Sequence, residues 1–423
     1  MSETTAPSQS LVRRNSNFRA LWLSATVGVL GTAVASIALP IIAAVELAAS
    51  DFAVAALAGM TFLPWLLLGL PIGVWVDRWP RKPVIVWSLI ARILSLATLP
   101  VAYWFGMLTV VQLFVVAFVA GLSSVFFSLA DQALVQQALT GDELVEGNGI
   151  ITASGASADA AGRGIAGWLT VILGASNTLL VQVAASFASL FAISSLRLKE
   201  ARPEPTQRHI FAEMMDGLRY TFSTAPLRAI LFNAALWNLG GSMVASLMVL
   251  LVIRVLNESE IWLGLLMAAT SIGGAVGGLN AKRLTEWLGS GPVWRWSMVP
   301  GVLGYASLLV MTPGPGMIIG LVGMFVMGVS VALNIVVGTS FRQRVCPPAM
   351  MGRLGAATRM VSWGMLGIAS IIGGVLAELL GITNAILVGV VLTTAAPLVA
   401  LFGSLRSVKR LEDLHREPVP SSP

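Results

Sequence analysis

Asp159 and Arg163 stand four positions apart in the middle of a long apolar run. At helical spacing both project from one face, with the acid N-terminal to the base, the order that the helix dipole favours. Of the 20 acidic residues, Asp159 is the only one deep inside such a run. A charge in the centre of a bilayer costs about 2.5–3.5 kcal/mol on insertion scales, so an embedded ionisable residue is a functional candidate by default. The chemistry open to this pair is proton binding: protonation of Asp159 would free Arg163, for which a substrate or a conformational change could compete. The alternative is a static pair that packs its helix against a neighbour, with desolvation offsetting attraction.

No catalytic constellation accompanies the pair. Cys346 is the one cysteine, and the two histidines, His209 and His415, both sit in hydrophilic stretches. Metal clusters and Ser-His-Asp triads therefore lack their parts. There is no Gly-x-x-x-x-Gly-Lys-Ser/Thr phosphate loop, so uphill work by this chain would draw on an ion gradient rather than on ATP. No cofactor is expected.

The elements that must position the pair follow from composition. The 423 residues are 56% hydrophobic and 11% charged, with a mean hydropathy of +0.85. Soluble proteins carry about 25% charged residues. A soluble enzyme, a disordered scaffold and a disulfide-rich secreted domain are excluded. Apolar runs long enough to span a bilayer, about 20 residues, fall at 20–45, 53–76, 83–104, 108–135, 149–173, 177–197, 227–253, 261–281, 292–312, 316–341, 354–380 and 383–405. The expected fold class is an all-α polytopic membrane protein with twelve transmembrane helices in two sets of six.

On this arrangement 23 of the 26 Lys and Arg residues fall on one side, Arg254 alone on the other, and Arg92 and Arg163 within spans. The positive-inside rule then places both termini in the cytoplasm. The net charge of +6 thus reports topology rather than a nucleic-acid partner. The expected organisation is a cytoplasmic segment 1–19, a first bundle 20–197, a linker 198–226, a second bundle 227–405 and a cytoplasmic tail 406–423. On the linker, Ile210, Phe211, Met214, Met215, Leu218 and Phe222 oppose Glu213, Asp216 and Arg219, the pattern of an amphipathic helix lying on the inner leaflet. A bias towards Ala, Val and Gly points to a bacterial cell membrane as the location.

The connection after the second span reads Gly73-Val-Trp-Val-Asp77-Arg78-Trp-Pro-Arg81-Lys82. It resembles the signature loop of the major facilitator superfamily, and Gly277-Gly-Leu-Asn-Ala-Lys282-Arg283 is read as a degenerate copy in the second half. Asn17-Phe18-Arg19-Ala-Leu-Trp22, Ala38-Leu39-Pro40, Asp216-Gly-Leu-Arg219-Tyr220, Met351-Gly352-Arg353 and Arg359-Met-Val-Ser-Trp363-Gly364 are similar to the drug and siderophore exporter branch, which includes macrolide efflux and enterobactin export proteins. The resemblance implies the major facilitator fold, alternating access, and a monomer in the lipid bilayer that carries a small molecule, with protons as the coupling ion. It also implies a latch that joins the halves in the outward-facing state: Gly73 lets the second span approach the eleventh, Asp77 accepts backbone N–H bonds, and Arg78 and Arg81, beside Lys82, bridge to Asp131. Plain orientation charges are the alternative. Where exporters carry Gly-Pro in the fifth span, this chain has Gly162-Arg163-Gly164 followed by Gly167.

Further cavity candidates are Thr32, Asn233, Trp237, Asn238 and Asn334, each of which could instead hydrogen-bond between helices. Arg92, in the first half of the third span, either snorkels to the inner face or serves the cavity. The function expected is export of a small amphipathic compound by proton antiport. An importer on the same fold is the alternative within transport. A membrane-embedded lipid or sugar enzyme lacks clustered catalytic groups and a substantial polar loop, so the chain is read as not an enzyme.

Overall fold

A computed structural model describes residues 11–139, 142–198, 200, 215, 219–345, 351–403, 406, 408 and 409. Most of the linker, with its expected amphipathic helix, lies outside the described residues. The chain forms twelve long helices among them: α1 Ser16–Ile41, α2 Asp51–Arg78, α3 Arg81–Trp104, α4 Val110–Ala138, α5 Asp142–Leu173, α6 Ala175–Ser194, α7 Ala225–Leu250, α8 Glu260–Leu288, α9 Ser290–Ala306, α10 Met317–Val345, α11 Met351–Leu380 and α12 Ile382–Phe402. Ten are long and apolar enough to cross a membrane. The other two are α5, which carries Glu143, Glu146, Asp159 and Arg163, and α9, whose 17 residues are prolonged by a 3₁₀ turn at Ser307–Leu309. Helices satisfy their own backbone groups, which the bilayer cannot do for them.

Local chemistry sets the ends. Asn15 Oδ1 accepts the N–H groups of Asn17 and Phe18 at the start of α1, and Ser50 and Ser259 cap α2 and α8. Gly174 and Gly381, at φ 81° and 84°, each join two helices with a single residue in a conformation that side chains resist.

The two halves repeat one another. The packed pairs α1·α6, α1·α5, α2·α4, α3·α4 and α3·α6 recur as α7·α12, α7·α11, α8·α10, α9·α10 and α9·α12. Both α1 and α7 end in a π-helical turn, Ile42–Glu46 and Leu251–Val255, 209 residues apart. The same interval separates Ala48 from Asn257, both at positive φ, and the cap Ser50 from Ser259. One correction follows. The stretch Gly277 to Arg283 is not a loop but lies inside α8, which runs on to Leu288 before Gly289 turns the chain. A Cβ on Gly277 would stand 2.5 Å from the Val329 carbonyl oxygen, so this glycine packs α8 against α10.

The halves meet along α2·α11 and α5·α8. Away from the face that bears Arg78, Arg81 and Lys82 (the basic face), a Cβ at Gly167 would lie 2.9 Å from the Glu260 carbonyl oxygen, and one at Gly374 3.0 Å from that of Phe52. Towards the basic face, a Cβ at Gly149, Gly155, Gly278 or Gly73 would meet no described atom within 4 Å. The helices therefore touch near the opposite face and part towards the basic one. The close approach of Gly73 to the eleventh span, expected from sequence, is not made among the described residues.

A clasp closes the opposite face. Arg254, on the π turn after α7, donates to the Asp51 carboxylate, to the Ala44 carbonyl at 3.1 Å and to the Ala49 carbonyl at 2.6 Å. Glu378 on α11 accepts the Phe52 N–H at 3.4 Å, again across the halves. A guanidinium bonded to a carboxylate and two carbonyls is a charge-assisted tie that ordinary packing does not supply.

Two measurements test these statements. A Cβ at Gly273 would stand 2.1 Å from the Phe325 carbonyl oxygen, whereas Gly278 on the same helix faces open space. Gly273→Ala is expected to lower the detergent Tm, at a cost of about 1–3 kcal/mol for overpacking, and Gly278→Ala to leave it unchanged. Arg254→Gln, in a Cys346→Ser background spin-labelled at the exposed positions Met107 and Val310, is expected to add a longer component to the distance distribution across the clasped face. An unchanged distribution would mean that the clasp does not hold the halves.

Candidate functional site

Between the halves lies a cavity of about 330 Å³. The first half lines it with Ser36 and Pro40 of α1, Val54, Ala58 and Phe62 of α2, and Arg163 of α5. The second half contributes Trp237, Asn238, Ser242 and Ser246 of α7, Leu263 and Met267 of α8, Tyr305 of α9, and Leu366 and Ser370 of α11. Mostly apolar walls with a few convergent polar groups are the usual make-up of a small-molecule site. A groove of about 490 Å³ on the flank of α3 and α4, lined by Trp79, Trp87 and Phe126 among others, has no charged residue in its wall and does not reach between the halves.

Among the described residues, Arg163 is the only charged side chain in the cavity wall. Its Nε donates to Asp159 Oδ2 at 2.9 Å, and the same oxygen accepts Ser271 Oγ of α8 at 2.6 Å. The Nη1 atom reaches Met267 Sδ at 4.0 Å. The pair thus lies where the two halves touch, and small residues bring it there. A Cβ on Gly264 would be 2.8 Å from the Arg163 carbonyl oxygen and 3.0 Å from the Gly167 Cα, so α5 and α8 cross almost backbone to backbone. Neither side chain is fully buried, with 26% of Arg163 and 29% of Asp159 exposed.

Opposite stands an aromatic pair. The rings of Trp237 and Tyr305 are 5.6 Å apart and tilted by 31°. Glycines make room for them: a Cβ at Gly301 would press within 2.7 Å of Trp237, and one at Gly241 would lie 3.0 Å from the Tyr305 hydroxyl. Asn238 Nδ2 donates to the Ser362 carbonyl at 3.0 Å, and Ser242 Oγ to that of Leu366 at 2.9 Å, so the polar wall is bonded to α11.

The remaining sequence candidates are placed elsewhere. Asn233 is buried and donates to the Ala396 carbonyl, joining α7 to α12, and Asn334 donates to Ser297 Oγ and the Trp294 carbonyl, joining α10 to α9. Thr32 is exposed and returns its hydroxyl to the Gly28 carbonyl. Arg92 does not snorkel: it is 5% exposed, donates to Ser124 Oγ at 2.9 Å and lies over the Phe127 ring at 5.8 Å. A hydroxyl and an aromatic face inside the bundle replace the route to water.

The latch residues are not joined as expected. Gly73 and Asp77 lie in the last turns of α2, with the Asp77 side chain outside the described residues, and Arg78 is exposed. The backbone N–H groups of Arg81 and Lys82 donate to the Glu200 carboxylate at 2.5 and 2.8 Å, and Lys82 Nζ donates to the Ser194 and Leu196 carbonyls. Glu200 therefore takes the N-terminus of α3. Arg81 Nε and Asp131 Oδ1 are each buried without a described partner, and neither Arg78 nor Arg81 pairs with Asp131 among the described residues.

Sequence reasoning missed Ser271, Met267 and Tyr305. Tyr305, one of three tyrosines and the only one in the ninth span, carried a compositional signal. Ser271 and Met267 carried none, because their role depends on which helix α5 crosses.

The comparisons agree with this architecture. The chain is 32% identical over 191 residues to the multidrug efflux pump Tap of Mycolicibacterium fortuitum, an alignment that covers 43% of this chain and 46% of the relative. The chain thus matches somewhat under half of the length of that relative. Among solved structures, a bacterial homologue of the iron transporter ferroportin in its inward-facing state superposes with a TM-score of 0.74 at 16% identity, covering 94% of this chain and all of that one. The nucleoside transporter NupG gives 0.72 at 15%, covering 91% and 97%. The sequence profile described as transmembrane secretion effector matches residues 8–423. Taken with the twelve helices, the repeated halves and the cavity between them, this match means that the chain belongs to the transmembrane secretion effector family of major facilitator transporters.

Proposed function

We propose that this chain is a secondary exporter of small amphipathic compounds that works by alternating access and exchanges its substrate for protons at Asp159. The basic face lies in the cytoplasm of a bacterial cell membrane, with both termini on that side, as the distribution of Lys and Arg favours. The moving bodies are residues 20–197 and 227–405, joined by the linker 198–226 and flanked by the cytoplasmic segments 1–19 and 406–423. In this orientation the cavity opens to the cytoplasm, ready to load, and the Arg254 clasp seals the outside. Export is supported by the likeness to Tap, a pump of the same superfamily.

One observation carries the coupling: the Asp159–Arg163 pair bonds to Ser271 of the other half at the edge of the cavity. A proton reaching Asp159 from outside removes the charge that holds Arg163, and with it the reason for α5 and α8 to keep this register. Release of the proton to the cytoplasm restores the pair. Each proton moved down a membrane potential supplies about 2.3 kcal/mol per 100 mV. Closing the basic face brings the latch together and gives partners to Arg81 Nε and Asp131 Oδ1, each buried here without one among the described residues.

Inverted vesicles with an imposed pH gradient test the coupling. Amphipathic drugs are expected to alkalinise the acid lumen in wild type, and Asp159→Asn to reduce this to background, at least a tenfold loss, with normal membrane insertion. Transport retained by Asp159→Asn would reduce the pair to a structural tie. For the latch, Arg81→Ala and Asp131→Asn are each expected to cut the transport rate severalfold while the amount of inserted protein stays the same. Equal falls in rate and in inserted protein would mean that these residues only orient the chain.

A further inference from the structure

The ion pair leaves one half of each partner unused. Among the described residues, Arg163 donates to Asp159 through Nε alone, and its two terminal nitrogens find only the Met267 sulfur at 4.0 Å, a weak acceptor. Those nitrogens form the outer edge of the guanidinium fork, the edge that takes a carboxylate with two parallel N–H bonds. On the other partner, Oδ2 of Asp159 accepts both Arg163 and Ser271, whereas Oδ1 has no described partner and is not among the buried orphaned atoms. About a quarter of each side chain is exposed, and Arg163 stands in the wall of the cavity between the halves with Asp159 directly behind it.

We infer that the cavity recognises a compact zwitterion carried on an aromatic body, its carboxylate on the outer edge of Arg163 and its ammonium on Oδ1 of Asp159. This inference names the substrate class of the site and rests on the reading of the central cavity as the transport site.

Charge balance decides the class. The pair is neutral, so a ligand with one net charge would leave that charge uncompensated inside the bilayer, where it is costly. A zwitterion adds two charges that each meet an opposite, and the site stays neutral. The aromatic body follows from the facing wall, where Trp237 and Tyr305 lie 5.6 Å apart in space left by Gly301 and Gly241, and Phe62 adds to the apolar lining. A volume of about 330 Å³ suits a small molecule of this kind. The substrate ammonium also occupies the carboxylate that a proton would take, so loading and protonation exclude one another, as exchange requires.

Four derivatives of 3-(2-naphthyl)alanine separate the charges on one scaffold: the free amino acid (zwitterion), its carboxamide (cation), its N-acetyl derivative (anion) and the N-acetyl carboxamide (neutral). Calorimetric titration of the full-length purified protein is expected to give at least tenfold tighter binding for the zwitterion than for each of the other three. Arg163→Gln is expected to erase its advantage over the carboxamide, and Asp159→Asn its advantage over the N-acetyl derivative. The double variant should bind all four within threefold of one another, a result that also reports a folded cavity. Four wild-type affinities within threefold, no binding of the zwitterion, or a cation or anion that binds most tightly would overturn the inference. The wild-type ranking needs no variant to fold and no transport to occur. A zwitterion preference without proton-linked efflux would sink the exporter reading alone, and a flat ranking with efflux intact would sink this inference alone.

Discussion

The bilayer neither hydrates a charge nor hydrogen-bonds a peptide group, and most features of this protein answer to that one condition. Backbone groups are satisfied inside twelve helices. Polar side chains turn back on their own helix or bond to a neighbour, as Asn233 and Asn334 do. Arg92 is held by a hydroxyl and an aromatic face. Among the described residues, the Asp159–Arg163 pair is the one place where a carboxylate and a guanidinium meet deep in a span, and it lies on the seam between the halves. A group whose stability depends on its protonation, set on the surface along which two bodies move, ties the charge state to the geometry.

Glycine determines where that seam runs. Without a Cβ at Gly167 and Gly264, α5 and α8 approach closely enough for Ser271 to reach Asp159, and similar crossings at Gly59 and Gly374 bring α2 to α11. Gly73, Gly149, Gly155 and Gly278, nearer the basic face, meet no described atom within 4 Å, so the same residue type that permits contact at one depth leaves the chain free to close at another. Closure there is opposed by the Arg254 clasp on the far side, which has no counterpart in the first half, where Val45 occupies the equivalent position. The halves are thus alike in scaffold and unlike in the side chains that give them direction.

The repeat also shows why a motif is weaker evidence than a register. Gly277 to Arg283 looked like a second signature loop because its residue types recur, yet the interval of 209 residues shared by the π turns, the positive-φ residues and the serine caps puts it inside α8. Its glycine packs against α10, whereas a Cβ at Gly73 would meet no described atom within 4 Å.

Much of this protein was determined by its sequence alone. A run of apolar residues must become a membrane helix, because in lipid no other local structure satisfies the backbone, so the span number and the superfamily were legible from composition, spacing and the Gly73 to Lys82 loop. The pairing of Asp159 with Arg163 was legible too, since four residues on a helix are neighbours whatever surrounds them. Tertiary structure decided the rest. That Oδ2 of Asp159 is shared with Ser271, that Tyr305 lies beside Trp237, that Arg92 stays inside and that Arg81 and Asp131 do not pair among the described residues all depend on which helices meet and at what depth. Side chains far apart in the chain become neighbours only through packing, and a hydropathy pattern with the same polarity on every span carries no record of it.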